Sequence, residues 1–124
     1  MVASPGRART LWKLKEEGWC YRREQFWNQW AHKSEDLFGM WDVFAMHPHT
    51  LRWKGIQICN FGEENAHIKK INQAVWFFDD VGIGIELLPV WKACGGGAEL
   101  WSWGKLCRDG RGTRKEWQVR ITQL

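Results

Sequence analysis

The first part of the chain shows a helical hydrophobic pattern followed by an extended one. In residues 7–17 apolar side chains recur at close to helical spacing, which predicts an amphipathic helix. Gly18 follows directly and is typical of a helix C-terminus. Residues 19–24 predict a first strand. Residues 26–36 mix tryptophans with polar residues, so a short helix and an irregular loop both remain open there.

The middle of the chain contains the clearest strand pair. Residues 40–46 are apolar except for one acid, and residues 51–59 resume the strand pattern after a proline-containing segment at 47–50. These two strands are therefore predicted to form a hairpin with a four-residue connection. Residues 63–80 then carry an apolar face at helical spacing, which predicts a helix.

Glycines divide the last part of the chain. Residues 83–94 fit either a strand or a second helix, and three consecutive glycines follow them at 95–97. Residues 98–104 and 116–124 alternate in polarity, which predicts two strands. A polar, glycine-rich loop at 108–115 separates these strands.

The predicted order of elements places the chain in the α/β class. A helix, three strands, one or two helices and two strands follow one another. A helix between strands of one sheet favours an α/β sandwich with a mixed sheet. A length of 124 residues leaves room for one domain. We therefore expect a short tail over residues 1–6 and a single domain over residues 7–124.

Charge and hydropathy narrow the classes of partner. The chain has 18 basic and 14 acidic residues and a pI near 9.0, which favours anionic partners. No apolar run reaches the ~18 residues that a membrane span needs. The N-terminal residues also lack the apolar segment of a secretory signal. These features predict a cytoplasmic protein with no membrane partner.

Tryptophan is the one residue type present in extreme number. The eleven tryptophans either pack in and near the core, or include a few that stack on bases or sugars. The four cysteines show neither a C-x-x-C pair nor a zinc-site spacing with histidine. We therefore expect them to be reduced thiols.

An acidic residue stands in the middle of the first hairpin strand. Asp42 has apolar neighbours on both sides, and a buried carboxylate is costly unless it is paired or binds a metal. Gln57, across the hairpin, is positioned to point into the same cleft, and such oxygen ligands suit Mg²⁺ or Mn²⁺. Two nearby acids extend this candidate metal set, namely Glu24 and Asp36. Alternatively, Asp42 caps a turn or pairs with an arginine, for which the candidates are Arg22, Arg23 and Arg52.

Two basic stretches predict contact with DNA. Residues 7–23 and residues 105–120 each hold six basic and two acidic residues, which gives each a local charge of +4. Arginines in a glycine-rich loop can follow a phosphate backbone, although a solvated loop without a partner would have the same composition. The expected contacts are Arg7, Arg9, Lys13, Arg108, Arg111, Arg114 and Lys115. His67 either touches a phosphate as well or helps to cap its own helix.

Several strings of the sequence together resemble the PD-(D/E)XK nuclease superfamily, in particular its small Holliday-junction-resolvase-like and phage or prophage branch. The strings are Glu16-Glu-Gly-Trp19, Asp36-Leu-Phe-Gly-Met-Trp-Asp42-Val-Phe-Ala45, Ile56-Gln-Ile-Cys59 and His67-Ile-Lys-Lys70-Ile71. The likeness spans roughly residues 7–75, and residues 99–105 with the last strand resemble the tail of the phage members. It implies a three-layer α/β/α sandwich with a mixed, mostly antiparallel sheet, as in restriction endonucleases.

The resemblance implies a metal site in the hairpin. The family's aspartate, here Asp42, binds the divalent ion, which would be Mg²⁺ or Mn²⁺. Gln57 stands at the position of a second ligand, a glutamate in the family, and Ile58 would contribute its backbone carbonyl. The acid that the resolvases carry in the first helix has no match in this chain. Its expected replacements are Glu24 and Asp36.

The lysine that completes the family's site is missing from this sequence. Cys59 occupies its position, and a thiol cannot supply an ammonium charge at neutral pH. We expect that charge from the following helix, from Lys70 in the first place and Lys69 in the second. A helix turns by about 100° per residue, so only one of the two should face the cleft.

These residues lead to two hypotheses of different class. The first is a Mg²⁺-dependent deoxyribonuclease that hydrolyses phosphodiester bonds at branched or nicked DNA and works as a homodimer. The second is a catalytically degraded nuclease fold that serves as a DNA-binding or phage structural module. Asp42 and Asp36 favour the nuclease, whereas Gln57 and Cys59 favour the module.

Overall fold

A five-stranded mixed sheet forms the centre of the protein, as seen in a computed structural model that describes residues 5–23, 26–28, 33–35, 37–77, 84–107 and 115–124. The described elements, in chain order, are α1 (Pro5–Glu16), β1 (Cys20–Arg23), β2 (Phe26–Asn28), β3 (Lys33–Glu35), β4 (Val43–Met46), β5 (Trp53–Asn60), α2 (Glu64–Asn72), β6 (Val75–Phe77), β7 (Gly84–Glu86), α3 (Leu87–Ala93), β8 (Gly97–Cys107) and β9 (Lys115–Gln123).

The strand order in the central sheet is β1-β4-β5-β8-β9. The first three strands form an antiparallel meander, and β9 pairs antiparallel with β8. The pairing of β5 with β8 is parallel, because the chain returns to the same edge through α2 and α3. Two small antiparallel pairs, β2 with β3 and β6 with β7, stand apart from this sheet.

Helix α1 covers one face of the sheet through an apolar cluster. Leu14 faces inward and is fully buried, and half-buried Leu11 packs one turn before it. The buried members of this cluster are Leu14, Val43, Ala45, Ile56, Trp101 and Trp103. Strand alternation explains the set, because every second residue of a strand points to the same side of its sheet.

Polar groups beneath α1 are matched with one another. The Thr10 hydroxyl donates to the Gly6 carbonyl at 2.7 Å and accepts from the Trp103 indole N–H at 2.8 Å. Lys54 Nζ lies 2.8 Å from Glu99 Oε1, and both side chains are nearly buried. The buried polar atoms of these groups therefore keep their hydrogen bonds, which is the usual condition for burying them.

Helices α2 and α3 cover the other face through a second apolar cluster. Its buried members are Met40, Trp41, Ile71 and Ala98. The Trp41 ring lies flat against the backbone of β5 at Gly55, where an added Cβ would stand 2.4 Å from a ring atom. A residue larger than glycine at position 55 would therefore force this fully buried ring to move.

The expected α/β class and mixed sheet are confirmed, and so is the hairpin, although six residues, 47–52, connect its strands instead of the expected four, because β5 begins at Trp53. β4 and β5 pair antiparallel with Val43 opposite Ile56. His47 organises the turn between them, because its Nδ1 accepts hydrogen bonds from the backbone N–H groups of His49 and Thr50, each at 3.3 Å. A histidine nitrogen used in this way shapes the connection between the two strands.

Two predicted elements differ from the structure. The helix expected over residues 63–80 ends at Asn72, because the β-branched and aromatic run Val75–Phe77 pairs as a strand with β7. The segment 26–36, expected as a short helix or loop, contains the pair of β2 and β3.

The segment 83–94, expected as either a strand or a second helix, contains one of each, namely β7 and α3. Pro89 lies in the first turn of α3, where a missing N–H removes no hydrogen bond. Within the described ranges, no helix has the length and apolar character needed to cross a membrane.

Candidate functional site

Asp42 lies directly before β4 and belongs to the face covered by α2. Its backbone N–H donates to the Ile56 carbonyl at 2.9 Å, which extends the hairpin ladder by one bond. Val43, the next residue, packs under α1, so alternation directs the Asp42 side chain to the opposite face. Only 6% of Asp42 is exposed. The hairpin therefore carries a carboxylate into the interior.

The Asp42 carboxylate receives two hydrogen bonds from β5. The Gln57 side-chain amide donates to Asp42 Oδ2 at 2.8 Å, and the Ile58 backbone N–H donates to the same oxygen at 2.8 Å. The register shows why this N–H is available. The pairing of β4 with β5 ends at Val43 and Ile56. Ile58 lies two residues beyond this pair, so its N–H has no strand partner in β4 and donates to the Asp42 side chain.

Gln57 has a free acceptor beside this pair. Its Oε1 is buried and has no hydrogen-bond partner among the described residues. The amide orientation follows from Asp42, because an ionised carboxylate accepts hydrogen bonds and needs the NH₂ group facing it. A buried acceptor without a donor costs about 1–3 kcal/mol, so this oxygen is suited to a cation or a water.

These oxygens fit the kind of ion that the sequence predicts. Carboxylate and amide oxygens are hard ligands of the type that Mg²⁺ and Mn²⁺ prefer. Within the described ranges, no group of three or more His, Cys, Asp and Glu side chains could by itself hold a metal ion. Asp42 and Gln57 would therefore need a backbone carbonyl, water or phosphate oxygens to complete such a site.

Cys59 lies on the same face as Gln57, two residues further along β5, and opposite Ser102 in β8. Burial raises the pKa of the Cys59 thiol, the neighbouring Ser102 hydroxyl opposes this, and the negative charges of Glu64, Glu63 and Asp42 raise it further. The thiol is therefore neutral at physiological pH. Cys59 supplies no charge where the family carries a lysine.

One cation, Arg120 of the edge strand β9, lies in the same row of the sheet as Cys59. Arg120 in β9 pairs with Ser102, which in turn pairs with Cys59, so the three residues form one row across β9, β8 and β5. Arg120 Nη1 lies 3.9 Å from Glu64 Oε2 at the start of α2. Its guanidinium carbon stands 4.0 Å from the centre of the Phe61 ring.

Glu64 interacts both with Arg120 and with the buried Cys59 of this face. Desolvation raises the pKa of Glu64, but hydrogen bonds from the backbone N–H groups of Glu64 and Gly62, the nearby Ser102 hydroxyl and the charge of Arg120 lower it below its ordinary value. Glu64 is therefore ionised at neutral pH. The Arg120 guanidinium and the Glu64 carboxylate form a charged pair beside the Cys59 thiol.

The two lysines expected to replace the family's lysine lie on the exposed side of α2. Ile71 is fully buried and Ile68 is half-buried, so these residues define the inward face of the helix. Lys69 and Lys70 are both exposed. His67 Nε2 lies 3.7 Å from Glu63 Oε2, and among the described residues no side-chain hydrogen bond caps the start of α2, so the expected capping role of His67 is not seen.

The residues expected to contact nucleic acid divide between several places. Arg7, Arg9 and Lys13 lie on α1, on the face of the sheet opposite Asp42, and Lys115 is exposed at the start of β9. The remaining members of this set, Arg108, Arg111 and Arg114, lie outside the described residues. The candidate metal ligands Glu24 and Asp36 lie outside them as well.

Sequence reasoning treated Arg120 only as part of a basic stretch. Its place beside Ser102 depends on the register between β8 and β9, and a hydrophobic pattern does not set that register precisely. The alternation of the last strand was a usable signal, because it places Arg120 on the face opposite Val119, which packs against the α1 cluster.

Comparisons with known proteins leave the family open. No protein-family model, no curated protein and no solved structure matches the chain. The function is therefore inferred from the geometry of Asp42, Gln57 and their neighbours, together with the strings of sequence that resemble the nuclease superfamily.

Proposed function

We propose that the protein is a metal-dependent DNA endonuclease of the PD-(D/E)XK kind, which hydrolyses phosphodiester bonds with Mg²⁺ or Mn²⁺ and prefers branched or nicked DNA. The observation that supports this most is the Gln57 acceptor. Gln57 Oε1 is buried beside a buried carboxylate and lacks a donor among the described residues. A cation bound there would satisfy this oxygen and compensate the Asp42 charge together.

The order of elements supports the same proposal. A helix, an antiparallel three-stranded meander, two helices and a strand parallel to the third meander strand follow one another, with α1 on one face and α2 and α3 on the other. This agrees with the three-layer, mostly antiparallel restriction-endonuclease-like fold that the resemblance implies. Asp42 precedes the second meander strand and Gln57 lies in the third, side by side on one face.

Within this proposal the chain's own residues hold and orient the reactants. Asp42 and Gln57 Oε1 would hold the cation, and the Ile58 carbonyl is the third ligand that the resemblance implies. A divalent cation there would make a coordinated water acidic enough to attack phosphorus near neutral pH and would stabilise the charge that develops on the phosphate. The Ile58 N–H fixes the Asp42 carboxylate in place through its hydrogen bond.

The positive group that the family's lysine supplies has three candidates in this chain. Arg120 is the one whose contacts place it in the row of Cys59, through Glu64 and Ser102. Lys70 and Lys69 lie on the exposed side of α2. We assign the role to Arg120, because a guanidinium is always charged and can bind two phosphate oxygens at once.

A second candidate function is a DNA-binding or phage structural module without catalysis. One observation favours it. Asp42 Oδ2 already accepts two N–H groups, and the position that carries lysine in the family holds the neutral Cys59. In this alternative the hydrogen bonds of Asp42 are structural, and the protein binds DNA without cleaving it.

A cleavage assay separates the two functions. The intact protein is incubated with linear, nicked and four-way-branched DNA of the same sequence, with Mg²⁺, with Mn²⁺ and with EDTA. We expect cleavage that requires the metal ion and is fastest on branched or nicked DNA. Asp42→Asn should reduce the rate at least about a hundredfold, because the variant keeps the size of the side chain and loses the charge that binds the cation.

Matched variants make the assay specific. Glu17→Gln removes an exposed acid directly after α1 and should leave the rate unchanged. Arg120→Gln should lower the rate and Arg120→Lys should restore part of it, whereas Lys70→Gln should have a smaller effect. DNA binding without cleavage of any substrate would assign the protein to the binding module. Cleavage that Asp42→Asn leaves intact would remove this site from the reaction.

The expected homodimer has its own test. A nuclease that cuts both strands of a branched substrate together uses one active centre for each strand, so two copies of the chain would act together. Light scattering of the protein with and without branched DNA measures the number of copies directly. A monomer that still cuts both strands at one junction would contradict this part of the proposal.

A further inference from the structure

A groove of about 490 Å³ lies between α1 and the strands β8 and β9, on the face of the sheet opposite Asp42. Its walls include Arg9, Trp12 and Lys13 from the helix, and Trp103 and Trp117 from the strands. This volume falls within the ~300–1,000 Å³ that is usual for ligand sites. The groove is not used by the reaction proposed above.

Two tryptophans give the groove exposed aromatic surface. Trp12 is 64% exposed, although Trp41, Trp101 and Trp103 are buried. Among the tryptophans whose side chains are described, it is the one that is mostly open to solvent. Trp117 is half-buried on the other wall. An exposed indole next to a second indole offers flat surface to a planar ring.

Cations surround the same rings. The Arg9 guanidinium carbon stands 4.7 Å from the centre of the Trp117 ring, and Lys105 Nζ stands 5.2 Å from it. Arg9 Nε is buried and has no hydrogen-bond partner within the described part of the chain. Lys13 also lines the groove, 3.7 Å from Glu17. The groove therefore combines aromatic faces with positive charge and at least one unused donor.

This combination selects the chemistry of the occupant. Glu16 lines the groove and Glu17 pairs with Lys13, so the three cations Arg9, Lys13 and Lys105 exceed the two acids by one charge. A neutral apolar ligand would leave this charge without a counter-charge. A ligand that carries a planar ring beside an anionic group satisfies both features. Unpaired nucleotides have this chemistry, because aromatic side chains stack on bases and basic side chains bind the backbone.

We propose that the groove between α1 and β9 binds single-stranded DNA, with a base stacked against Trp12 and Trp117 and a neighbouring phosphate on Arg9 and Lys13. A volume of this size is on the scale of one or two nucleotides, and only an unpaired base can stack on an indole, because the faces of paired bases are covered within a duplex. The choice of DNA rests on the proposed function. The binding itself does not, because the groove and Asp42 lie on opposite faces of the sheet.

The test measures binding without any cleavage. A fluorescein-labelled dT oligonucleotide is titrated with the intact protein in EDTA and followed by anisotropy, beside the duplex of the same length and free thymidine monophosphate. We expect the oligonucleotide to bind more tightly than either. Trp12→Ala should weaken its binding about five- to 150-fold, the effect of losing one base stack, and Trp12→Phe should restore part of it. Arg9→Gln should flatten the salt dependence by about 0.7 in the log–log slope.

Two controls match these variants away from the groove. Leu51→Ala removes an exposed apolar side chain from the hairpin turn, and Lys92→Gln removes an exposed cation from α3. Both should leave oligonucleotide affinity unchanged. Full affinity in Trp12→Ala would overturn the proposal, as would equal losses in Arg9→Gln and Lys92→Gln, which would indicate unspecific charge attraction. Tighter binding of the duplex would overturn it too.

The two proposals fail separately. If the protein cleaves no DNA with Mg²⁺ and still binds the oligonucleotide through Trp12, the nuclease proposal is refuted and the proposal of a binding groove stands. A protein that cleaves DNA and binds the oligonucleotide equally well after Trp12→Ala refutes the groove and leaves the nuclease.

Discussion

The two faces of the central sheet differ in how completely their buried polar groups are hydrogen-bonded. Beneath α1, Thr10 and the Trp103 indole satisfy each other, and Lys54 pairs with Glu99. Beneath α2, the Gln57 carbonyl and the Trp41 indole N–H are buried without hydrogen-bond partners among the described residues. The core beneath α1 therefore resembles an ordinary one, with Arg9 Nε at its edge as a buried donor that lacks a partner among the described residues. The α2 face keeps such polar groups in its interior, at a cost to stability.

This difference indicates which parts of the fold are suited to bind a ligand. Each buried polar atom without a partner costs about 1–3 kcal/mol, a large part of the 5–15 kcal/mol that stabilises a typical domain. Such atoms are expected at sites that bind something, because the ligand then supplies the missing partner. Asp42 and Gln57 meet this description on the α2 face, and Arg9 Nε meets it in the groove at the edge of the α1 core.

The largest expected effect concerns the core beneath α1. Leu14→Ala should lower the free energy of unfolding by about 2–5 kcal/mol, because Leu14 is fully buried and its loss leaves a cavity between helix and sheet. Urea denaturation measures the change. The affinity for Mn²⁺ should stay the same, since Asp42 lies on the other face.

The matched variant on the α2 face is Ile71→Ala, which also removes a fully buried side chain. Its cost in stability should be similar, but it should also alter Mn²⁺ affinity, because Ile71 packs in one cluster with Trp41, the neighbour of Asp42. Equal changes of Mn²⁺ affinity in both variants would show that the two faces are not independent.

The next effect concerns the hydrogen bonds of Asp42. Asp42→Ala should cost about 1.5–3 kcal/mol, because it leaves the Gln57 amide and the Ile58 N–H buried without their acceptor. Gln57→Leu should cost less, since it removes the unpaired carbonyl together with the donor. A double-mutant cycle of the two substitutions should give a coupling of about 0.5–3 kcal/mol. Additive effects would mean that the pair does not interact.

The hairpin and its site were predictable because they depend on local patterns. An acid within an apolar strand and a turn with proline were enough to bring Asp42 and Gln57 to adjacent strands. Alternation also explains why Lys54 pairs with Glu99 beneath α1, away from Gln57. The alternation of side chains along the strands and the short connection between them were therefore enough to predict this part of the fold.

The parts that the sequence left open depend on pairing over distance. The helix predicted through residue 80 ends early because Val75–Phe77 finds a partner strand in β7, and no local signal gives the strength of that pairing. The position of Arg120 depends on the register between β8 and β9. The groove beside Trp12 depends on how α1 lies across the sheet, which helical periodicity does not determine.

The ion pair beneath α1 predicts a dependence of stability on pH. Desolvation raises the pKa of Glu99, but hydrogen bonds from Lys54, Gln123 and Trp101 lower it below its ordinary value. A lowered pKa in the folded state adds stability above the unfolded value of about 4.3, and this stability is lost as the pH falls through the folded value. Glu99→Gln should therefore lose on the order of 1–2 kcal/mol at pH 7 and little below pH ~3.

Denaturation curves from pH 7 down to about pH 2.5 test this. The native protein should lose stability over the acid range more steeply than Glu99→Gln. The control Glu17→Gln removes an exposed carboxylate whose ion pair with Lys13 spans 3.7 Å, and surface pairs of this kind contribute about 0–1 kcal/mol. Parallel acid curves for the native protein and Glu99→Gln would contradict the role of Glu99.

The smallest expected effect separates the wall of the groove from the core beneath it. Trp12 is 64% exposed, so Trp12→Ala should change the free energy of unfolding by no more than about 0.5 kcal/mol, and the high helix propensity of alanine offsets part of any loss. Trp103, at 7% exposure, forms the floor and donates to Thr10, so Trp103→Ala should cost about 3–5 kcal/mol. Urea denaturation of both variants measures the contrast. A loss above about 2 kcal/mol in Trp12→Ala would place that indole in the core and close the groove to a ligand.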